Sequence, residues 1–81
     1  MAQKVLEKKR ILTHSYGFIR RLTTTVTESG VFFYVTHKTE TLSDGSYSVS
    51  KNRYWSEEAA RQEFNRVVEN DISYNKDHRV L

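Results

Sequence analysis

Hydrophobic and polar residues alternate along the middle of the chain. Between residues 18 and 55, Thr, Val, Phe and Tyr dominate and helix-favouring runs are missing, which is typical of β-strands. Leu22 and Val26 fall on one side of the first such strand, and Arg21 falls on the other side with several threonines, because successive strand side chains point to opposite faces. The pattern predicts an antiparallel meander.

Glycine-containing turns separate three predicted strands. A Glu-Ser-Gly turn ends the first strand, and the Asp44-Gly45 pair fits a type I′ hairpin turn after the second. The second strand, residues 31–41, has aromatic residues on both faces, so we expect it to be central. In the third strand, Tyr47 and Val49 are predicted to face the core, while the serines between them face water.

A capped amphipathic helix is predicted from Trp55 to about Val68. Ser56 is a good N-cap, and two glutamates follow it in the first turn, where negative charge suits the helix dipole. We expect Trp55 to pack as a staple against this first turn. The apolar stripe that packs on the sheet has helical spacing and comprises Ala60, Phe64, Val67 and Val68.

The two ends of the chain carry weaker signals. Residues 2–12 suit a short helix or a fourth strand, and the strand is slightly favoured because they lead into a turn-like segment before Phe18. The polar stretch over 71–81 predicts a flexible tail. A chain of 81 residues is expected to form a single domain, with a core over about 5–70. The predicted fold class is α+β: a three- to four-stranded antiparallel meander sheet with one C-terminal amphipathic helix packed on one face.

Composition narrows the classes of function. The absence of cysteine excludes disulfides, thiolate catalysis and cysteine-ligated zinc. No apolar run approaches the roughly 20 residues of a membrane span, and the basic N-terminus lacks the apolar middle of a signal peptide. We therefore expect a cytoplasmic protein, in the host cytoplasm if a phage encodes it, that does not bind a membrane.

Recognisable catalytic and metal-binding patterns are missing. His14, His37 and His78 lack metal-ligand spacing, and His37 is expected to be a half-buried packing or hydrogen-bonding residue. No serine has a nucleophile signature, and no glycine-rich loop is suited to phosphate. The acidic residues cluster on or just after the predicted helix. We expect a non-enzymatic protein with no cofactor and no metal.

Basic residues offer one candidate surface. Thirteen Lys and Arg oppose ten Asp and Glu, which gives a formal net charge of +3. Basic groups interleaved with aromatics on an antiparallel sheet suit nucleic-acid binding. Arg20 and Arg21 point to opposite faces of a strand, so both cannot join one patch. Solubilising surface charge is the simpler explanation. The candidate nucleic-acid-binding residues are Lys8, Lys9, Arg10, Lys51 and Arg53.

The outer face of the predicted sheet offers a second candidate surface. If no layer covers them, Phe32 and Tyr34 form an apolar patch ringed by Thr, Lys and Arg. Such a patch is typical of protein-binding surfaces, with aromatic anchors and a charged rim. The candidate protein-binding residues are Phe32, Tyr34, Arg21 and Lys38.

Residues 18–69 carry a resemblance to known families. Three antiparallel strands are followed by Trp55, Ser56, Glu57, Glu58, Ala59 and then Phe64. This order resembles the arm-DNA-binding amino-terminal domain of tyrosine recombinases, in which a sheet enters the major groove. It is also similar to small phage-encoded anti-CRISPR and anti-defence proteins in its length and cysteine-free composition. Recombinase arm domains are normally followed by a catalytic domain. We therefore expect this chain to be a stand-alone inhibitor rather than an arm domain.

The leading hypothesis is therefore a small binding protein of phage or mobile-element origin. It would inhibit a larger host protein or nucleoprotein complex, such as a CRISPR or other defence effector, by stoichiometric surface blockade. The alternative is a DNA- or RNA-binding module that uses a basic antiparallel sheet. A third hypothesis is a homodimer that pairs through an exposed edge strand.

Overall fold

The computed structural model describes residues 3–81, and these form five strands and one helix. All neighbouring strands are antiparallel, in the order β4-β3-β2-β1-β5. The predicted α+β class is confirmed, and the sheet has one strand more than the upper limit of the prediction. The elements are β1 (Lys4–Ser15), β2 (Phe18–Ser29), β3 (Phe32–Thr41), β4 (Tyr47–Tyr54), α1 (Glu57–Tyr74) and β5 (His78–Val80).

The two ends of the chain supply the additional strands. Residues 4–15 form β1, as the favoured alternative for residues 2–12 predicted, and residue 2 lies outside the described residues. In place of the predicted tail over 71–81, α1 continues to Tyr74 and β5 pairs with the edge of β1. The Leu81 backbone N–H donates to the Arg10 carbonyl at 3.0 Å. Backbone hydrogen bonds to β1 order this segment. The prediction of a flexible tail was based on the polarity of the side chains, which does not indicate such backbone hydrogen bonds.

Tight hairpins connect the long central strands. Tyr16 and Gly17 link β1 to β2, and both have positive φ angles of 52° and 79°, which is the arrangement of a type I′ turn. The predicted type I′ turn at Asp44-Gly45 is replaced by a four-residue loop over 42–45. The Thr41 N–H donates to the Ser46 carbonyl at 2.8 Å to close this loop, and the Gly45 N–H donates to the Thr41 carbonyl at 2.9 Å within it. Asp44 has no positive φ; its carboxylate accepts the Ser46 backbone N–H instead.

The helix packs on one face of the sheet, and its N-cap and buried apolar positions agree with the prediction. Ser56 Oγ accepts the Ala59 backbone N–H at 3.2 Å, so Ser56 is the N-cap. Phe64 is buried against the centre of β2 and β3. The core cluster comprises Val26, Val35, Ala60 and Phe64, with Leu6, Phe33, Tyr54 and Val68 packed against it.

The opposite face of β1–β4, which we call the open face, has no helix over it. Tyr47 and Val49 lie on this face and are 68% and 53% exposed. Their predicted inward orientation is wrong, because the strand register pairs them with Glu40 and Lys38 on the side away from α1. The Trp55 staple is also wrong. Trp55 is 75% exposed.

Candidate functional site

Strand register assembles rows of side chains across the open face. Lys8, Thr25, Thr36 and Lys51 are successive cross-strand partners in one row, from β1 to β4. The next row comprises Arg10, Thr23, Lys38 and Val49. With neighbouring strands about 4.8 Å apart, the backbones of β1 and β4 are roughly 14 Å apart. Basic residues therefore flank a centre of threonines.

The threonine floor consists of Thr23, Thr25 and Thr36, at the middle of the open face. Together with the surrounding charged side chains it lines a shallow depression of about 350 Å³. Threonine is short and its hydroxyl both donates and accepts hydrogen bonds, whereas the basic side chains around it are long. The result is a polar trough with a cationic rim, formed by Lys8, Arg10, Arg21 and Lys38 beside Glu40.

One acidic residue, Glu40, contacts two of the basic side chains of this rim. Arg21 donates from Nε and Nη2 to the two carboxylate oxygens of Glu40 at 3.1 and 3.0 Å. Lys38 Nζ lies 3.8 Å from Glu40 Oε2. The hydrogen bonds from Arg21 lower the pKa of Glu40, so this carboxylate stays charged and fixes the plane of the guanidinium.

Aromatic rings hold the cations on the β4 side. Lys51 Nζ lies 4.6 Å from the centroid of the Tyr34 ring. The Arg53 guanidinium carbon lies 4.6 Å from the Phe32 centroid and 5.9 Å from the Trp55 centroid. The Phe32 and Trp55 rings meet edge to face at 4.8 Å. Cation–π attraction therefore restrains both basic side chains over the open face.

A further cation–ring pair lies at the other end of β4. Lys38 Nζ is 5.1 Å from the centroid of the Tyr47 ring. The Tyr47 ring is itself mostly exposed, so one side of it remains accessible. Exposed rings thus stand at both ends of β4, with the paired cations between them.

The strand register places the predicted protein-binding residues and most of the predicted nucleic-acid-binding residues on the same face of the sheet. Eight of the nine candidate residues lie on the open face: Phe32, Tyr34, Arg21 and Lys38 from one set, and Lys8, Arg10, Lys51 and Arg53 from the other. Lys9 lies on the opposite face, which packs against the helix. Its cross-strand partner Thr24 is on that face and is only 1% exposed. Its predicted place in the basic patch is therefore wrong.

Sequence reasoning missed several residues of this face. Glu40, Tyr47, Trp55 and the threonine floor were not selected as candidates. The signal was present, because strand alternation places Tyr47, Val49 and Trp55 on the same side as Lys51 and Arg53. Counting in steps of two from those basic residues would have found Tyr47 and Trp55, and the same count from Lys38 and Arg21 would have found Glu40 and the threonine floor.

Charge is separated between the two layers of the molecule. Within strands β1–β4, the open face carries six basic residues, Lys8, Arg10, Arg21, Lys38, Lys51 and Arg53, and one acidic residue, Glu40. Helix α1 carries five acidic residues, Glu57, Glu58, Glu63, Glu69 and Asp71, and two basic ones, Arg61 and Arg66. The modest net charge of +3 therefore hides a strongly basic face.

The histidines serve contacts within the fold. His37 Nε2 lies 2.9 Å from Asp71 Oδ2 and joins β3 to α1, as expected for a half-buried hydrogen-bonding residue. His14 Nδ1 is 3.6 Å from Asp77 Oδ2, and His78 Nδ1 is 2.7 Å from the Asn75 carbonyl oxygen.

Residues 3–81 contain neither a metal-binding cluster nor a membrane-spanning helix. No group of three or more His, Asp or Glu side chains in this range is placed to hold a metal ion. Likewise, α1 is not apolar enough to cross a membrane, and it is the one helix in the described part of the chain. Comparisons with protein-family models, curated proteins and solved structures found no match to this chain.

Proposed function

We propose that the open face binds nucleic acid, chiefly through backbone phosphates. The observation that carries this proposal is the separation of charge: six basic side chains and one acidic side chain share the face, while acidic residues dominate the helix behind it. A polyanion approaching the protein is attracted to one side and repelled from the other.

The chemistry of the face supports phosphate as the ligand. Lysine and arginine bind phosphate by charge-assisted hydrogen bonds, and threonine hydroxyls and backbone groups commonly add to such contacts. Thr23, Thr25 and Thr36 lie among the cations at the centre of the trough. The single acidic residue, Glu40, is occupied by Arg21, so it opposes the incoming phosphates less than a free carboxylate does.

The salt dependence of binding tests the proposal. Fluorescence anisotropy with a labelled oligonucleotide should show log K falling linearly with log salt concentration, because bound phosphates release counterions. Contacts from all six cations give a slope of about −4 for a single strand or −5 for a duplex. Binding without a salt dependence, or no binding at low salt, contradicts the proposal.

Two neighbouring lysines provide a matched pair of variants. Lys8→Gln removes a cation from the open face, and Lys9→Gln removes the same charge from the opposite face. We expect Lys8→Gln to weaken binding and to reduce the salt slope by about 0.7–0.9. Lys9→Gln should leave the slope nearly unchanged. Equal effects from both variants would mean that net charge alone drives binding.

Blockade of a surface on a larger host protein or nucleoprotein complex, which is the inhibitor predicted from the sequence, is the second candidate function. The edge-to-face pair of Phe32 and the exposed Trp55 favours it, because aromatic residues are common anchors of protein interfaces. Pull-down from a host lysate with and without nuclease separates the two functions. A partner that is retained after nuclease treatment supports the protein-binding function. Loss of the partner supports the nucleic-acid-binding function.

A further inference from the structure

The two sides of the open face differ in chemistry. On β1, Lys8 and Arg10 are exposed cations that take part in none of the cation–ring contacts of the face. On β4 and beside it, Tyr47 and Trp55 expose most of their ring surface. The β1 side of the trough therefore offers free cations to phosphate, whereas the β4 side combines its ring-bound cations with exposed rings on which planar groups can stack.

The width of the face bears on the form of nucleic acid that it accepts. The major groove of B-DNA is about 12 Å wide and admits a helix or a two-stranded ribbon. Four strands carry the open face, and their outer backbones are roughly 14 Å apart before side chains are added. The face is too wide to lie within that groove, in contrast to the mode of the recombinase arm domain.

A single strand fits the two-sided chemistry better than a duplex. Its bases are not paired, so they are free to stack on aromatic rings or on arginine planes. Trp55 and the Arg53 guanidinium offer adjacent stacking surfaces, because Arg53 lies over the Phe32 ring and close to Trp55. A duplex keeps its bases stacked inside and leaves the exposed rings without ligands.

We infer that the open face binds single-stranded nucleic acid, with the sugar-phosphate backbone beside Lys8 and Arg10 and the bases turned towards Tyr47 and Trp55. This inference rests on the proposed function and specifies its ligand. The threonine floor separates the two sides and supplies hydroxyl groups to the backbone and to base edges. Tyr47 begins β4 and Trp55 directly follows it. Eight residues of extended chain span roughly 26 Å, or about eight nucleotides of a stacked strand.

Binding of matched oligonucleotides tests the form of the ligand. The probes are a mixed-sequence DNA strand of about twelve nucleotides, the RNA strand of the same sequence, the duplex of each, and an abasic DNA strand. We expect the base-bearing single strands to bind at least about tenfold more tightly than the duplexes and the abasic strand. The DNA and RNA arms identify which sugar is preferred.

Variants on the two sides should behave differently. Trp55→Ala is expected to weaken binding of the base-bearing strand by about 10- to 100-fold, because each lost stacking contact has an effect of this size. It should leave the abasic strand unaffected. Combining Lys8→Gln with Arg10→Gln should weaken both probes equally and reduce the salt slope by about 1.4. Trp55→Phe keeps a ring and should restore most of the affinity.

The chain contains one tryptophan, so its fluorescence reports directly on this side of the face. Base-bearing strands should quench Trp55 emission, whereas the abasic strand should not. Circular dichroism checks that each variant folds, and the exposure of Trp55 makes a folding defect unexpected.

The outcomes distinguish this inference from the proposed function. Equal or tighter binding of duplex, or equal binding of abasic and base-bearing strands, overturns the inference but leaves nucleic-acid binding standing. If none of the probes binds even at low salt, the proposed function itself is wrong, and the inference is wrong with it.

Discussion

Arg21 and Glu40 form a two-point ion pair across β2 and β3, with both carboxylate oxygens bound to one guanidinium. The hydrogen bonds from Arg21 also hold the pKa of Glu40 below its usual range. Glu40 therefore fixes the orientation of Arg21 on the open face. At the same time, it reduces the positive potential that a phosphate meets there.

Glu40→Gln should strengthen binding to nucleic acid. The substitution removes one negative charge from the open face and releases both Arg21 and the nearby Lys38. We expect the affinity for an oligonucleotide at low salt to rise by about 3- to 10-fold, with a salt slope steeper by up to about 0.9. Anisotropy titrations at several salt concentrations measure both quantities.

The matched control for this substitution is Glu28→Gln. Glu28 pairs with Lys4 and Phe33 and lies on the helix-packed face, so its removal changes the net charge equally. A smaller rise in affinity is expected for Glu28→Gln. If the two variants bind equally well, the position of the charge does not matter, and the open face has no special role.

The contact between His37 and Asp71 should make stability depend on pH. Hydrogen bonding to Asp71 raises the pKa of His37 above 6.5, although its burial acts in the opposite direction. The folded state therefore favours the protonated imidazole. This stabilisation is complete below the unfolded pKa of about 6.5 and is lost as the pH rises through the raised folded pKa.

Urea unfolding of the natural protein and of His37→Gln measures this effect. The difference between their free energies of unfolding should be larger at about pH 6 than at about pH 9. Asp71→Asn should lose the same pH dependence, because it removes the charged partner. The control His14→Gln alters an exposed histidine and should retain it. A pH-independent difference would mean that His37 contributes through packing alone.

Local signals made the helix predictable. Ser56 caps the helix, and Arg61 donates to Glu57 at 2.8 Å; both contacts follow from spacing along the chain. Phe64 was identified as core by its helical period, and it is buried. These features depend on residues three or four positions apart, so the sequence contains all the information they require.

The orientation of β4 depends on contacts far along the chain. Alternation separates Tyr47 and Val49 from the serines between them, but it does not say which side α1 covers. The sequence analysis predicted that these two residues face the core because they are hydrophobic. The register with β3 places them outside with Lys38, because the helix packs over the central strands and leaves β4 exposed.

The sequence identified most of the basic residues of the candidate site, but it did not predict which of them share one face of the sheet. Adjacent Lys8 and Lys9 look equivalent in a list of basic residues, yet a strand sends them to opposite faces. The alignment of Lys8 with Lys51 across two threonines depends on three strand registers. Even a bulge between Val5 and Glu7 affects which β1 residues reach the open face. No short-range pattern fixes these registers.

Phe64→Ala should destabilise the protein strongly. Phe64 is the aromatic residue at the centre of the core cluster, with Val26 and Val35 from the sheet and Ala60 from the helix. Truncation of a buried phenylalanine costs about 3–5 kcal/mol through lost burial and a cavity. Urea unfolding should show this loss, whereas Asn65→Ala on the exposed side of the helix should change stability by less than about 0.5 kcal/mol. Similar effects would place Phe64 outside the core.

Tyr16→Asn should stabilise the β1–β2 hairpin. Tyr16 has a φ of 52°, and its side chain is 95% exposed, so little packing offsets the strain of the left-handed conformation. Asparagine tolerates that conformation and precedes glycine in favoured type I′ turns. We expect thermal unfolding to show a gain of about 0.5–1 kcal/mol. Tyr16→Ala keeps the strain and should give no such gain; equal stabilisation by alanine would show that the tyrosine side chain itself, rather than the backbone conformation, is unfavourable.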